Sequence, residues 1–153
     1  MKSTEPWVEK PLDSFLTESA ARVVLLMTPS GQVIAQHGFA KSLDVMSAAA
    51  LGAGVLASTE ELGRVMGGEL TGPIVHQGTG QGILLRAMLL PDAKYLVLVV
   101  YGKETSLGLV TLFLDRLAVD LAKYAPAKPK NQALLAENFE RELNSSLQAL
   151  FGR

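Results

Sequence analysis

Cysteine is absent from the chain, so the sequence offers no disulfide, no thiolate nucleophile and no cysteine-based zinc site. An excess of charge is also missing, because 14 Lys and Arg face 15 Asp and Glu, for a formal net charge of -1. No stretch gathers the basic residues into the stripe that phosphate contacts require. Thiol chemistry is therefore excluded, and nucleic acid is not an expected partner.

Long hydrophobic runs are missing too. The two longest, residues 48–57 and 95–101, fall well short of the roughly 20 apolar residues of a membrane-spanning helix. The first ten residues carry Lys2, Glu5 and Lys10 where a secretory signal has an unbroken apolar stretch. We therefore expect a cytoplasmic protein without a membrane span.

Side chains that perform acid–base or nucleophilic chemistry are few. His37 and His76 have no carboxylate at a spacing that implies a dyad or a metal site, so we interpret both as structural or solvated. The glycine-rich run at 78–82 leads into a predicted strand, whereas a phosphate-binding loop leads into a helix. The sequence thus predicts no catalytic, cofactor or metal site. An enzyme that uses His37 or His76 is the least favoured alternative.

Material for a hydrophobic core is plentiful, with 48% hydrophobic residues among 153, as expected for one domain of ordinary size. Residues 21–28 are rich in Val and Leu and are expected to form a buried strand, and residues 32–38 are expected to be extended as well. The turn sequence Thr28-Pro29-Ser30-Gly31 lies between them, which predicts a β-hairpin. Three further strands are expected at 72–77, 82–90 and 95–101. Their short connections favour antiparallel pairing.

Helices are expected on either side of these strands. An amphipathic segment opens the chain, and Ser106 is the expected N-cap of a helix whose buried positions are Val110, Phe113, Leu114, Leu117, Leu121 and Tyr124. Pro126 and Pro129 end that pattern. We therefore predict a domain over residues 1–125, a linker over 126–132 and an amphipathic C-terminal helix over 133–153.

A long helix rich in small residues is predicted from Ser42, its expected N-cap, to Met66. Each glycine inside a helix costs about 1 kcal/mol relative to alanine, so the glycines at 52 and 54 need compensation. Close approach of a second copy of the helix would supply it, and only ten charged residues lie between Arg22 and Gly102. We predict self-association through Met46, Ala49, Ala50 and Ala53. A helix covered wholly by its own domain is the alternative.

The order of helix, hairpin, long helix, three strands and helix resembles the Roadblock/dynein light chain family. The likeness rests on residues 23–26 and 30–35, on the small-residue helix, and above all on residues 105–112. The last segment resembles the family's SLGLVRL sequence, with Thr111 where arginine is common. The implied fold is α/β (α+β), with the order α-β-β-α-β-β-β-α, a five-stranded, mostly antiparallel sheet and an added C-terminal helix.

Within the family, residues 75–78 and the tail after the proline linker resemble bacterial members that regulate a Ras-like small GTPase. The resemblance implies a homodimer that acts on GTP hydrolysis, nucleotide exchange or both, in cell polarity or motility, while the chemistry belongs to the GTPase. The partner-binding residues expected on this basis are Gly54, Ala57, Ser58, Glu61, Phe139, Leu143, Leu147 and Leu150. A Roadblock scaffold or cargo adaptor without effect on nucleotide turnover is the alternative.

Overall fold

The computed structural model describes residues 6–41, 43–70, 72–126 and 141–150. Its elements are α1 (Pro6–Ser19), β1 (Val23–Met27), β2 (Val33–Gly38), α2 (Val45–Val65), β3 (Ile74–Gln77), β4 (Gln81–Leu89), β5 (Lys94–Gly102) and α3 (Leu107–Tyr124). Residues 141–150 are helical as well and are called the tail helix below. The predicted class and element order are confirmed, with boundaries that differ by a few residues.

The five strands form one antiparallel sheet in the order β2-β1-β5-β4-β3. The predicted β1–β2 hairpin is confirmed: the Thr28 amide donates to the Gln32 carbonyl at 2.9 Å. Gly31 has φ +93°, a left-handed backbone that favours glycine. β4 pairs with β5 along its whole length but with β3 only through residues 82–85. The half of β4 at 86–89 is therefore left at the edge of the sheet.

Helices cover both faces of this sheet. Side chains of successive strand residues point to opposite faces, so Val24 and Val99 face one layer while Leu25 and Leu98 face the other. The first layer contains α1 and α3, which pack against each other, and the second contains α2. Each fully buried leucine contributes about 1.5–3 kcal/mol. Two separate cores thus hold α2 on one side of the sheet and α1 and α3 on the other.

The two capped helices begin where local hydrogen bonds satisfy their first amides. Ser106 caps α3 as predicted, since its Oγ accepts from the Leu109 amide at 3.2 Å. For α2 the cap is Asp44, which accepts from the Ser47 amide at 3.2 Å. The predicted cap, Ser42, lies outside the described residues. The observed cap thus lies two residues after the predicted one, at 44 instead of 42.

The buried face of α3 matches the prediction at Val110, Leu114, Leu117 and Leu121. Phe113 is partly buried against the same core. Tyr124 is 56% exposed, so its predicted burial is wrong. Tyr124 is exposed because it is the last residue of α3, at the end of the buried helix face.

The C-terminal part of the chain is described only at residues 141–150, which are helical and exposed throughout. The division into a domain, a linker and a C-terminal helix therefore stays a prediction. Among the described residues, no helix combines the length and apolar character needed to cross a bilayer.

Candidate interaction surface

The inner face of α2 packs on the sheet of its own chain. Ala49, Ala53 and Leu56 are buried there against β-strand leucines. Gly52 allows the close approach, since a Cβ at this position would lie 3.2 Å from Leu98 Cδ1 and 3.4 Å from Leu85 Cδ1. The expectation that Ala49 and Ala53 meet a second helix is thus corrected: both side chains are already covered within the chain.

The outer face of α2 points away from the sheet and is exposed. We use this name for Ala50, Leu51, Gly54, Val55, Ser58, Leu62 and Val65. Leu51 is 71% exposed and Val65 is 76% exposed, which is unusual for large apolar side chains on one helix face. A Cβ at Gly54 would meet nothing within 4 Å. The outer face combines small residues with exposed apolar ones, as a surface for another helix does.

The residues predicted for self-association and partner binding divide between the two faces. Met46 and Ala50 are exposed, as are Gly54, Ala57, Ser58 and Glu61. The sequence interpretation missed Leu51, Val55, Leu62 and Val65, all exposed on the same side of the helix. Their three- and four-residue spacing was the available signal.

Charge on α2 is confined to its C-terminal half. Arg64 Nε donates to Glu61 Oε2 at 3.0 Å, and this hydrogen bond together with the charge of Glu61 raises the pKa of Arg64 further above its ordinary value. Lys94 on β5 donates to Glu60 Oε1 at 2.7 Å. The N-terminal part of the outer face, around Ala50 and Gly54, therefore offers apolar contact without a charged side chain to desolvate.

The two histidines lie on the edge strands β2 and β3. His37 is on β2 opposite Val24, and its Nε2 is buried without a hydrogen-bond partner among the described residues. His76 is exposed on β3 opposite Ile83. In the described part of the chain, no three His, Asp or Glu side chains are grouped as metal ligands would be. The interpretation of both histidines as structural or solvated stays a prediction.

The glycine-rich run at 78–82 joins β3 to β4, as predicted, and continues into a strand. The Gly78 amide donates to the Gln81 carbonyl at 2.7 Å, which closes the turn. A shallow cavity of about 380 Å³ separates this turn from the start of α3. The sequence did not predict that proximity, because the two segments are far apart along the chain.

The tail helix presents its own apolar side chains to solvent. Leu143, Leu147 and Leu150 are 49%, 43% and 76% exposed, and their spacing places them on one side, called the leucine face. Phe139, predicted to belong to the same stripe, lies outside the described residues. The chain therefore carries two exposed apolar helix surfaces, the outer face of α2 and the leucine face.

No family model and no curated protein matches the sequence. Among solved structures, Myxococcus xanthus MglB is 25% identical with a TM-score of 0.69, over 78% of this chain and 95% of that one. The gliding protein MglB from Thermus thermophilus is 28% identical with a TM-score of 0.67, over 78% and 88%. An MglB with tetrameric arrangement is 26% identical with a TM-score of 0.67, over 82% and 97%.

This chain has a Roadblock fold and resembles MglB. A Roadblock/LC7 domain from Streptomyces avermitilis, at 15% identity and a TM-score of 0.62, shares the fold. The MglB structures are matched over 88–97% of their length and 78–82% of this chain, so the likeness covers most of the chain rather than one motif. It supports a regulator of the Roadblock type that associates with itself.

Proposed function

We propose that this chain forms a homodimer that regulates a Ras-like small GTPase of the MglA type, in bacterial cell polarity or motility. The dimer accelerates GTP hydrolysis by the GTPase, and nucleotide exchange is the second step on which it can act. The observation that carries the proposal is the exposed apolar outer face of α2 in a chain that resembles MglB. The chemistry belongs to the GTPase, whose switch residues and attacking water the dimer positions.

Self-association through the outer face follows from its side chains. Ala50 and Gly54 are small and lie one helical turn apart on the exposed side, so the backbones of two helices can approach closely there. Gly54, predicted from the sequence for the partner contact, is thus assigned to the dimer interface instead. Leu51 and Val55 flank these positions, and full burial of such side chains contributes about 1.5–3 kcal/mol each. Met46 and Ala50 remain in the proposed interface, whereas Ala49 and Ala53 do not.

The GTPase contact is proposed to use the exposed positions toward the C-terminal half of α2. Ala57, Ser58 and Glu61 are exposed there, beside the Glu61–Arg64 ion pair. Two α2 helices side by side present one composite platform that a single chain does not have. The leucine face of the tail helix adds an amphipathic element of the kind that binds in a partner's groove.

The test measures complex mass and nucleotide turnover together. The purified chain is mixed with the MglA-type GTPase encoded in the same genome, with GTP present. The proposal predicts a complex of two copies of this chain with the GTPase and a faster release of phosphate than from the GTPase alone. A complex with unchanged hydrolysis and exchange rates would support the adaptor alternative instead. Absence of both complex and rate change would reject the regulator.

A further inference from the structure

The two halves of α2 are held to the sheet in different ways. Ala49, Ala53 and Leu56 are buried against strand residues, so the N-terminal half has a packed underside. From residue 57 to residue 65 only Gly63 is buried, and glycine has no side chain. Roughly 13 Å of helix, at 1.5 Å per residue, therefore lies beside the sheet without a buried side chain of its own.

A cleft of about 640 Å³ opens along this half of the helix. It lies between the C-terminal half of α2, the loop that follows it, and β4. The pairing of β3 with β4 stops at the Ile74–Leu85 pair, so among the described residues no strand lies beside 86–89 on that edge. The C-terminal half of α2 thus lies over a gap rather than over a packed core.

One ion pair joins the walls of this cleft. Lys94 Nζ, at the start of β5, donates to Glu60 Oε1 at 2.7 Å, and both residues line the cleft. Among the described residues, no other side-chain hydrogen bond or ion pair connects 57–65 to a strand, since the remaining ones on this half lie within the helix. At the end of α2, the Gly68 amide donates to the Gly63 carbonyl at 3.0 Å and closes the loop. Lys94 is thus the polar tie between the sheet and the middle of this half.

The Lys94–Glu60 pair is partly exposed, with 35% of the Lys94 side chain and 42% of the Glu60 side chain accessible. Ion pairs at a protein surface contribute little to global stability, because solvent screens them. Such a pair can still fix the local position of a segment that little else holds, since local opening costs less than global unfolding. Loss of this pair is therefore expected to release the C-terminal half of α2 without unfolding the domain.

We propose that Lys94 is a positioning residue for the GTPase contact. The inference rests on the proposed function, in which Ala57, Ser58 and Glu61 meet the GTPase. These residues belong to the half of α2 that the Lys94–Glu60 pair ties to the sheet. When only a fraction of the molecules holds a binding surface in place, the apparent affinity is reduced by that fraction. Lys94 thus strengthens GTPase binding through Glu60, without itself contacting the GTPase.

Hydrogen exchange tests the positioning without the GTPase. Lys94→Glu places two carboxylates opposite each other, so the amides of residues 61–65 are expected to exchange about two- to fivefold faster than in wild type. The amides of residues 49–56 are the internal reference and keep their wild-type rates. The added substitution Glu60→Lys restores the pair in reverse and is expected to restore slow exchange.

Arg86→Glu is the matched control. Arg86 lines the same cleft but donates to Asp115 Oδ1 on α3 rather than to α2. This variant is expected to leave the exchange of 61–65 at the wild-type rate. Equal exchange of 61–65 in wild type and Lys94→Glu would overturn the proposal. So would faster exchange along the whole of α2, which marks a general loss of stability.

The consequence for the GTPase is measured by titrating each dimer into the MglA-type GTPase with GTP. Lys94→Glu is expected to raise the concentration for half-maximal stimulation roughly twofold or more, with the maximal rate unchanged, because binding selects the held position. The reversed pair should return it to the wild-type value. An unchanged half-maximal concentration, or a lower maximal rate alone, would overturn the positioning role.

A wild-type dimer that gives no stimulation would overturn this role together with the proposed function. The exchange difference, measured without the GTPase, distinguishes that failure from a failure of the ion pair to hold α2.

Discussion

At the scale of single residues, the two glycines of the α2 small-residue segment have opposite environments. Gly52 lies against Leu98 and Leu85, while the space around Gly54 is open. We predict that Gly52→Leu lowers the free energy of unfolding by about 1–3 kcal/mol, the range for overpacking a core. Gly54→Leu makes the same chemical change in the same helix and is the control.

Urea unfolding of both variants measures the difference. At protein concentrations too low for dimers to form, the account predicts a lower midpoint for Gly52→Leu and no loss for Gly54→Leu, since that side chain enters open space in the single chain. Equal losses for the two variants would show that α2 is rotated differently from the arrangement described above.

The contribution of Asp44 to the stability of the fold is expected to depend on pH. Hydrogen bonds from the Ser47 side chain and amide lower the pKa of Asp44 below its ordinary value of about 3.9. A lowered folded-state pKa stabilises the fold above the unfolded-state value, and that contribution is lost as the pH falls through the folded-state pKa. Wild type should therefore exceed Asp44→Ala in urea midpoint at pH 7, and the gap should narrow progressively as the pH falls below about 4, the unfolded-state value. A gap that does not narrow with falling pH would contradict this origin.

At the scale of elements, α2 shows what the sequence cannot settle. The helix was predictable from the spacing of its apolar residues and from its composition. The face that packs on the sheet was not predictable, because alanine and glycine occur on both sides of the helix. Ala49 and Ala53 are covered by the sheet, whereas Ala50 and Gly54 are exposed. Only contacts between residues distant in sequence, such as Gly52 with Leu98, decide which face is inner.

Because Ala53 faces the sheet and Gly54 faces outward, self-association is tested by a substitution at Gly54. Gly54→Arg is expected to convert the dimer to a folded monomer, because it places a long cation on the outer face. Ala53→Arg is instead expected to unfold the chain, because Ala53 is 6% exposed in the core. Light scattering gives the mass and circular dichroism the fold. Val119→Arg, on the exposed side of α3, is the control that should stay dimeric, and a dimer that survives Gly54→Arg would place the interface elsewhere.

The tail provides a second test at the element scale. Deletion of residues 133–153 is expected to leave the dimer mass unchanged, since the outer face of α2 is retained, and to change the rate effect on the GTPase. Phosphate release and light scattering are measured on the same preparations. Loss of the dimer on this deletion would show that the tail, rather than α2, holds the two copies together.

At the scale of the whole molecule, the fold was largely predictable and the surface only in part. Strands such as 95–101 are nearly continuous apolar runs, and Ser106 is a strong helix cap, so each local signal agrees with the final structure. The cleft beside β4 was not predictable, since it depends on β3 being shorter than β4. Surfaces of this kind arise from how elements of unequal length meet, which no local pattern encodes.

The most direct test of the account is the rate of GTP hydrolysis by the MglA-type GTPase of the same genome, measured with wild type and with Gly54→Arg. The account predicts that wild type accelerates hydrolysis and that Gly54→Arg, although folded, does not, because the composite platform requires two outer faces in contact. Equal acceleration by the two proteins would contradict it, as would a wild-type chain that leaves the hydrolysis rate of the GTPase unchanged.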